Sequence, residues 1–386
     1  MKIGLMLLAL AGLLGLSACG RSQARISPPH ARPLAGRSQH VPTHHLAVVA
    51  KPRRKVKTHS TRAHHVKTAG HAPNLEGPLP GMLLIADKDN NRLLLVDQQK
   101  RIIWQYPHAG VSTTAGPFLI PDDAFFTPSG NAIIATEEDY HVIREIDVPT
   151  GKVIWQYGQP GVPGSGPGYL NGPDDAYWVK GLVTVADIRN CRILVLNGKE
   201  QVVRQYGRTG VCAHDPPRAF DAPNGDTPLP QGSMLVSEIS GSWVDRLDAR
   251  GRLVWAMHTP LAYPSDPQML SNGHILVSDY TLPGRVVELD PKGRIVASFG
   301  ADAGPNLLNH PSLAIPLPHG LVALNDDWNH RVIIVNMRTQ RILWQYGTTG
   351  TYGSGPGLLN NPDGIDFLPN TVVGERVMKL LRSRGG

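Results

Sequence analysis

A carboxylate closes a short apolar run six times along this chain, at Asp87, Glu137, Asp187, Glu238, Asp279 and Asp326, at intervals of 50, 50, 51, 41 and 47 residues. A second run follows each time and ends in Asp or Asn, at Asp97, Asp147, Asn197, Asp248, Asp290 and Asn336. A third carries an aromatic or apolar triplet, at Trp104–Tyr106, Trp155–Tyr157, Arg204–Tyr206, Trp255–Met257, Ala297–Phe299 and Trp344–Tyr346. These runs are rich in β-branched and aromatic residues and are divided by turn formers such as Pro149-Thr150-Gly151, so each reads as a strand. Several short strands in a period of about 48 residues point to a β-propeller, whose blades bury their apolar faces on one another and leave no long open edge.

The fourth strand of each unit starts after a proline, at Pro121, Pro173, Pro223, Pro264, Pro311 and Pro362. The first unit lacks this strand at its own beginning, and the Pro362 copy comes after the sixth unit is complete. That copy is therefore expected to fold back and finish blade one, closing the ring. The expected fold is all-β: a six-bladed β-propeller of four-stranded antiparallel blades over residues 77–370. Its N- and C-terminal segments share blade one, and residues 371–386 form a C-terminal tail.

Ahead of the repeats, Lys2 precedes an apolar run from Ile3 to Leu16 that leads through Ser17 and Ala18 into Cys19. The run is shorter than the ~20 residues a membrane span needs, and an ordinary secretory signal is another reading of such a segment. The pattern resembles the lipobox of bacterial lipoproteins. That resemblance implies a signal peptide over residues 1–19, acylation of Cys19, and an extracytoplasmic protein lipid-anchored to the bacterial cell membrane or envelope.

Residues 20–76 are expected to form a basic, His-rich, disordered tether. Residues 20–74 hold 11 Lys or Arg, 8 of the chain's 16 His and no acid, a composition that buries no core. As a flexible coil such a stretch reaches on the order of 40 Å. All 31 acidic residues follow it, against 26 of the 38 Lys and Arg, so the repeat region is near −5 and the positive excess belongs to the tether. A basic tether is attracted to an anionic surface in a salt-dependent way, and a solvated spacer is the plainer alternative. Its pairs His44-His45 and His64-His65 suit a transition metal but also occur in ordinary tethers. The expected partners are the membrane and an unidentified protein, glycan or small molecule. No nucleic acid is expected, and the chain is expected to be a monomer.

Two cysteines remain. Cys191 falls in the turn between the second and third strands of blade three, and Cys212 falls in the loop leading to blade four. Those connections emerge on one face of an up-and-down propeller, so in an oxidising compartment a Cys191–Cys212 disulfide is expected.

The segments Ala86-Asp87-Lys88-Asp89-Asn90-Asn91-Arg92-Leu93, Ala186-Asp187-Ile188-Arg189-Asn190-Cys191-Arg192-Ile193 and Asp326-Asp327-Trp328-Asn329-His330-Arg331-Val332 resemble NHL repeats. The loops at 164–171 and 353–360 add to that likeness. Asp147–Trp155 is similar instead to the quinoprotein-type (PQQ-like) repeat, in which the tryptophan docks one blade on the next, and Leu317–Gly320 resembles turns of arylsulfotransferase-type propellers. Together these imply the propeller fold over roughly residues 78–370. They imply little about activity, because such propellers include lyases, dehydrogenases, scaffolds and ligand sensors.

Two sets of acids gather on one face. The outer ring is Asp87, Glu137, Asp187, Glu238, Asp279 and Asp326, whose simplest role is to bond turn amides and a following arginine. The inner set is Asp122, Asp123, Asp174, Asp175, Asp226, Asp266 and Asp363. Asp after Pro also makes ordinary turns, but paired Asp-Asp in adjacent blades is more negative charge than a turn requires. Asp122, Asp123, Asp174, Asp175, Asp266 and Asp363 are therefore the candidate binding or metal residues, with Ca²⁺ the candidate cation for hard oxygen ligands. Trp104, Trp155, Trp255 and Trp344 share one repeat position, which suits interblade packing. His141, His214, His258, His310 and His330 are candidate bases, or zinc ligands as in the amidating-lyase branch of NHL propellers, though their spacing matches no ligand motif. No catalytic residue is assigned. A binding or scaffolding propeller leads this reading, with a metal-dependent lyase or hydrolase at the acidic mouth, or an envelope-assembly lipoprotein, as alternatives.

Overall fold

The computed structural model describes residues 79–108 and 115–384. The signal peptide, Cys19 and the tether over residues 20–76 lie outside the described residues. The chain runs through β1 (Leu83–Asp87), β2 (Arg92–Val96) and β3 (Ile102–Tyr106), then through four complete strands in each of five blades. Blade two is β4 (Pro121–Phe126), β5 (Ala132–Glu137), β6 (Val142–Asp147) and β7 (Lys152–Gly158). Blade three is β8 (Pro173–Val179), β9 (Leu182–Asp187), β10 (Arg192–Asn197) and β11 (Val202–Tyr206). Blade four is β12 (Pro223–Gly225), β13 (Met234–Glu238), β14 (Trp243–Leu247) and β15 (Leu253–His258). Blade five is β16 (Pro264–Met269), β17 (Ile275–Asp279), β18 (Arg285–Leu289) and β19 (Ile295–Phe299). Blade six is β20 (Ala314–Leu317), β21 (Leu321–Asp326), β22 (Arg331–Asn336) and β23 (Arg341–Gly347).

The last strand, β24 (Pro362–Phe367), pairs antiparallel with β1, so blade one has the order β24-β1-β2-β3 and the ring is closed by the two ends of the repeat region. After the clasp, residues 372–384 form the helix α1 (Val372–Arg384). Thr371 caps it, its hydroxyl accepting the Gly374 N–H at 2.9 Å. Val377 and Leu381 are buried in the cluster that holds Leu368, Phe118 and Trp104.

Burial follows position in the blade. β2 and β5 are buried along their whole length, whereas β11 at the rim of blade three is exposed except at Tyr206. Apolar residues of neighbouring blades meet in shared clusters: Ile193 and Tyr206 of blade three with Val236 and Leu247 of blade four, Leu276 and Phe299 of blade five with Leu324 and Ile333 of blade six. The repeated tryptophans belong to this packing. Trp344 of blade six donates its Nε1–H to the Gln98 carbonyl of blade one at 3.3 Å. The glycine that follows the aromatic triplet is required where strands approach: Gly158 and Gly347 have φ of 100° and 89°, and a Cβ there would collide with the carbonyl oxygens of His141 and His330.

The outer ring of acids holds the turns. Asp187 is typical: Oδ1 accepts the Asn171 N–H of the loop ahead at 2.7 Å, and Oδ2 accepts Arg192 Nε–H at 2.7 Å. Equivalent arginine pairs join Asp87 to Arg92, Glu137 to Arg144, Asp279 to Arg285 and Asp326 to Arg331. Cys191 and Cys212 are disulfide-bonded, with Cα atoms 5.2 Å apart.

Candidate functional site

The innermost strands do not run smoothly into the axis. In blade two Pro121 pairs with Glu137 and Ala124 with Ala135, so Asp122 and Asp123 together oppose Thr136 alone. Asp174 and Asp175 stand in the same relation to Ala186 in blade three, and Asp363 and Gly364 to Ala86 in blade one. Such bulges bend a strand and re-aim its side chains. The freed N–H of Asp123 is caught by the Thr136 hydroxyl at 3.0 Å. In blade five the irregularity falls at Asp266, a non-glycine residue with φ of 45°.

Asp122, Asp123, Asp174, Asp266 and Asp363 thereby line one polar cavity of about 80 Å³ at the axial mouth, together with Glu138, Lys88, Tyr263 and Tyr280. Asp175 is not among its lining residues; it is fully buried and accepts the Tyr177 hydroxyl at 3.2 Å. Asp226 faces a separate cavity of about 340 Å³ between blades three and four, beside Leu182, Tyr206 and Met234.

Six carboxyl groups line the mouth, and among the described residues lining it Lys88 is the one cation. Its Nζ contacts Asp122, lies 2.7 Å from Asp363 Oδ2 and 3.6 Å from Glu138 Oε2. Burial acts to lower the Lys88 pKa, but Asp122, Asp363 and Glu138 outweigh it and hold the ammonium well above its ordinary value. Burial pushes Asp122, Asp123, Asp174 and Asp266 well above the carboxylate range, and their mutual repulsion adds to it. Asp363 goes the other way: burial raises it, yet Lys88 and the hydrogen bonds from Asp122 and Ser312 bring it below the ordinary value. Asp122 and Asp363 are thus pushed in opposite directions beside one ammonium.

One lysine does not satisfy the cluster. Asp123 and Asp266 are each at least nine-tenths buried, and Oδ1 of each meets no donor. Oxygens of Asp122, Glu138 and Asp174 lie within 4.8 Å of one another. A hard divalent cation takes such oxygens as ligands, so the donor set fits Ca²⁺ chemically.

Lys88, Glu138, Tyr263 and Tyr280 were not singled out from the sequence. The signal lies in the repeat: Lys88, Glu138 and Tyr280 each follow a ring acid, and all three line the mouth. Tyr263 is the residue before the blade-five proline. The histidines do not converge. His141 and His330 occupy one left-handed repeat position, and their Nδ1 atoms accept the N–H of Gly172 at 3.2 Å and of Asn361 at 3.1 Å, just before the next inner strand. Burial lowers the pKa of both, which suits acceptors. His310 packs against Tyr280 and Trp328, and His258 against Trp243.

No protein-family profile matches the chain. A probable peptidyl-alpha-hydroxyglycine alpha-amidating lyase of Caenorhabditis elegans is 26% identical over 165 residues, which span 40% of this chain and 43% of that protein, less than half of either. A protein of unknown function from Bacteroides caccae has a TM-score of 0.52 at 18% identity, covering 74% of this chain and 98% of its own. A chain of a nidogen/laminin complex has a TM-score of 0.51 at 12% identity, covering 75% and 99%. At those identities the structural likeness is one of fold, and the fold is the six-bladed propeller.

Proposed function

We infer that this protein is a lipid-anchored, extracytoplasmic binding propeller of NHL and quinoprotein-type repeats whose axial mouth engages its ligand through a divalent cation. The carrying observation is the imbalance at the mouth: six carboxyl groups, one ammonium, and buried oxygens on Asp123 and Asp266 that no donor reaches. A cavity of about 80 Å³ suits an ion with its waters, and leaves a larger protein, glycan or small molecule to be met from above. A cation that binds the folded ring stabilises it by mass action, so millimolar Ca²⁺ raises the melting temperature of the purified protein and chelator lowers it. Asp122→Asn with Asp174→Asn removes that dependence. Melting indifferent to Ca²⁺, Mg²⁺, Zn²⁺ and chelator would leave the acids as turn formers in a metal-free scaffold.

The anchor is supported by the Leu16-Ser17-Ala18-Cys19 pattern. Cys19→Ser should release the protein from membranes, and a variant still bound after a salt wash contradicts anchoring by lipid; the wash removes adhesion through the basic tether. A second reading, a metal-assisted lyase at the same mouth, draws on the match to the worm lyase. It requires turnover of a peptidyl-α-hydroxyglycine that is lost in Asp122→Asn with Asp174→Asn, and absence of turnover with Ca²⁺ or Zn²⁺ supplied removes it.

A further inference from the structure

Blade four departs from its five sisters. In those, the ring carboxylate holds a backbone N–H with one oxygen and an arginine with the other. Glu238 keeps the first arrangement, Oε2 accepting the Asp221 N–H. Its arginine is gone: Trp243 stands where Arg92, Arg192 and Arg331 stand, and Asp245 where Arg144 stands. The result is two fully buried carboxyl groups side by side, and neither oxygen of Asp245 meets a donor.

What faces them is His214. Its Nδ1 lies 2.7 Å from Glu238 Oε1 and 3.9 Å from Asp245 Oδ2, and its ring stacks on Trp243 with centroids 3.8 Å apart. The loop that delivers it is held on both sides. Cys212 is tied to Cys191, and Asp215 bridges to Ala219.

We propose that His214, Glu238 and Asp245 form a divalent transition-metal site, with Zn²⁺ as the cation that their donors fit. Imidazole and carboxylate ligands about 2.0–2.2 Å from a tetrahedral zinc ion stand about 3.3 Å apart, and the two distances from Nδ1 straddle that value. The ion takes the place of the missing arginine: it neutralises Glu238, supplies the partner Asp245 lacks, and staples the disulfide-held loop to β13 and β14. Three protein ligands leave a fourth position for water. The site uses none of the mouth residues and stands apart from the reading of the mouth.

The test is a Zn²⁺ titration of the chelator-stripped full chain, followed by native mass spectrometry and by Trp243 emission, taken as the difference from Trp243→Phe. Wild type is expected to bind one more zinc than either Asp245→Asn or His214→Gln, with at least about a tenfold fall in affinity at this site. Zinc held by the tether histidines or by the mouth is common to all variants and cancels. The emission change should vanish in both variants and persist in Asp122→Asn. If Asp245→Asn does not fold, the partly exposed His214→Gln carries the test, and zinc should raise the melting temperature of wild type more than that of the variant. Equal zinc counts in all three proteins, or Trp243 emission indifferent to zinc, would overturn the site and leave Glu238 and Asp245 as a proton-sharing pair.

Discussion

The Lys88 ammonium lies 2.7 Å from the carboxylate of Asp363, a residue 275 positions further along the chain. This contact joins the first turn of the propeller to the strand that closes it, so one ion pair links the mouth to the clasp.

Replacing Lys88 by Met leaves Asp122 and Asp363 without their cation. Removing one partner of a buried pair costs about 3–5 kcal/mol, so the urea midpoint should fall clearly. Adding Asp122→Asn to Lys88→Met should recover much of that loss. A Lys88→Met protein as stable as wild type would show that the ammonium does not neutralise the mouth.

The clasp is tested by Ile365→Ala. Ile365 is fully buried in β24, within a cluster that spans blades one, two, three and six. Truncating such a side chain costs about 2–5 kcal/mol. Deleting residues 362–386 should cost far more, because it exposes an edge of β1 and removes α1. A deletion that melts with the full chain would contradict closure through β24.

The ring acids are tested at Asp187, which is buried and serves Asn171, Asn190 and Arg192 at once. Asp187→Asn keeps the shape but leaves the buried Arg192 guanidinium without its counter-charge, a loss of about 3–5 kcal/mol. Chemical denaturation reads the cost, and a change within error would reduce the ring to decoration of exposed turns.

Stability against pH is tested at Asp366. Burial pushes its carboxyl from 3.8 to about 7, even though it accepts the N–H groups of Phe126 and Phe367. Its folded-state value lies above the unfolded one, so its contribution is complete below about pH 4. It is lost as pH rises through about 7. Relative to Asp366→Asn, wild type should therefore lose stability as pH rises from about 4 to about 7, and the difference should level off above that. A difference that stays flat across this range would mean that the carboxyl titrates normally.

The parts of this molecule that repeat were legible, and the parts that break the repeat were not. Six acids at near-equal spacing and six prolines ahead of the inner strands were enough to count blades and to place β24 in blade one. The paired aspartates stood out because Asp122-Asp123 and Asp174-Asp175 repeat in register. Lys88 did not, since in isolation Asp87-Lys88-Asp89-Asn90 reads as a solvated turn, and its direction follows from a left-handed residue at Asn91 that turns the chain back. The segment of α1 reads as a tail because its apolar side is short, Val377 and Leu381 being its buried apolar side chains. The blade-four cluster depends on the absence of an arginine and on a histidine from a loop, neither of which a search for ligand spacing detects.

The clasp also decides how the ring meets tension. The chain enters at β1, and β1 lies between β24 and β2 with antiparallel pairing on both sides. A pull applied along β1 acts across hydrogen bonds that stand perpendicular to it. The bonds on both edges are then loaded together in shear, and the strand cannot be unzipped one bond at a time, as it could from the rim. A propeller pulled along β1 would pass force into β24 and β2 on either side of it, while β3 at the rim of the blade takes no direct load.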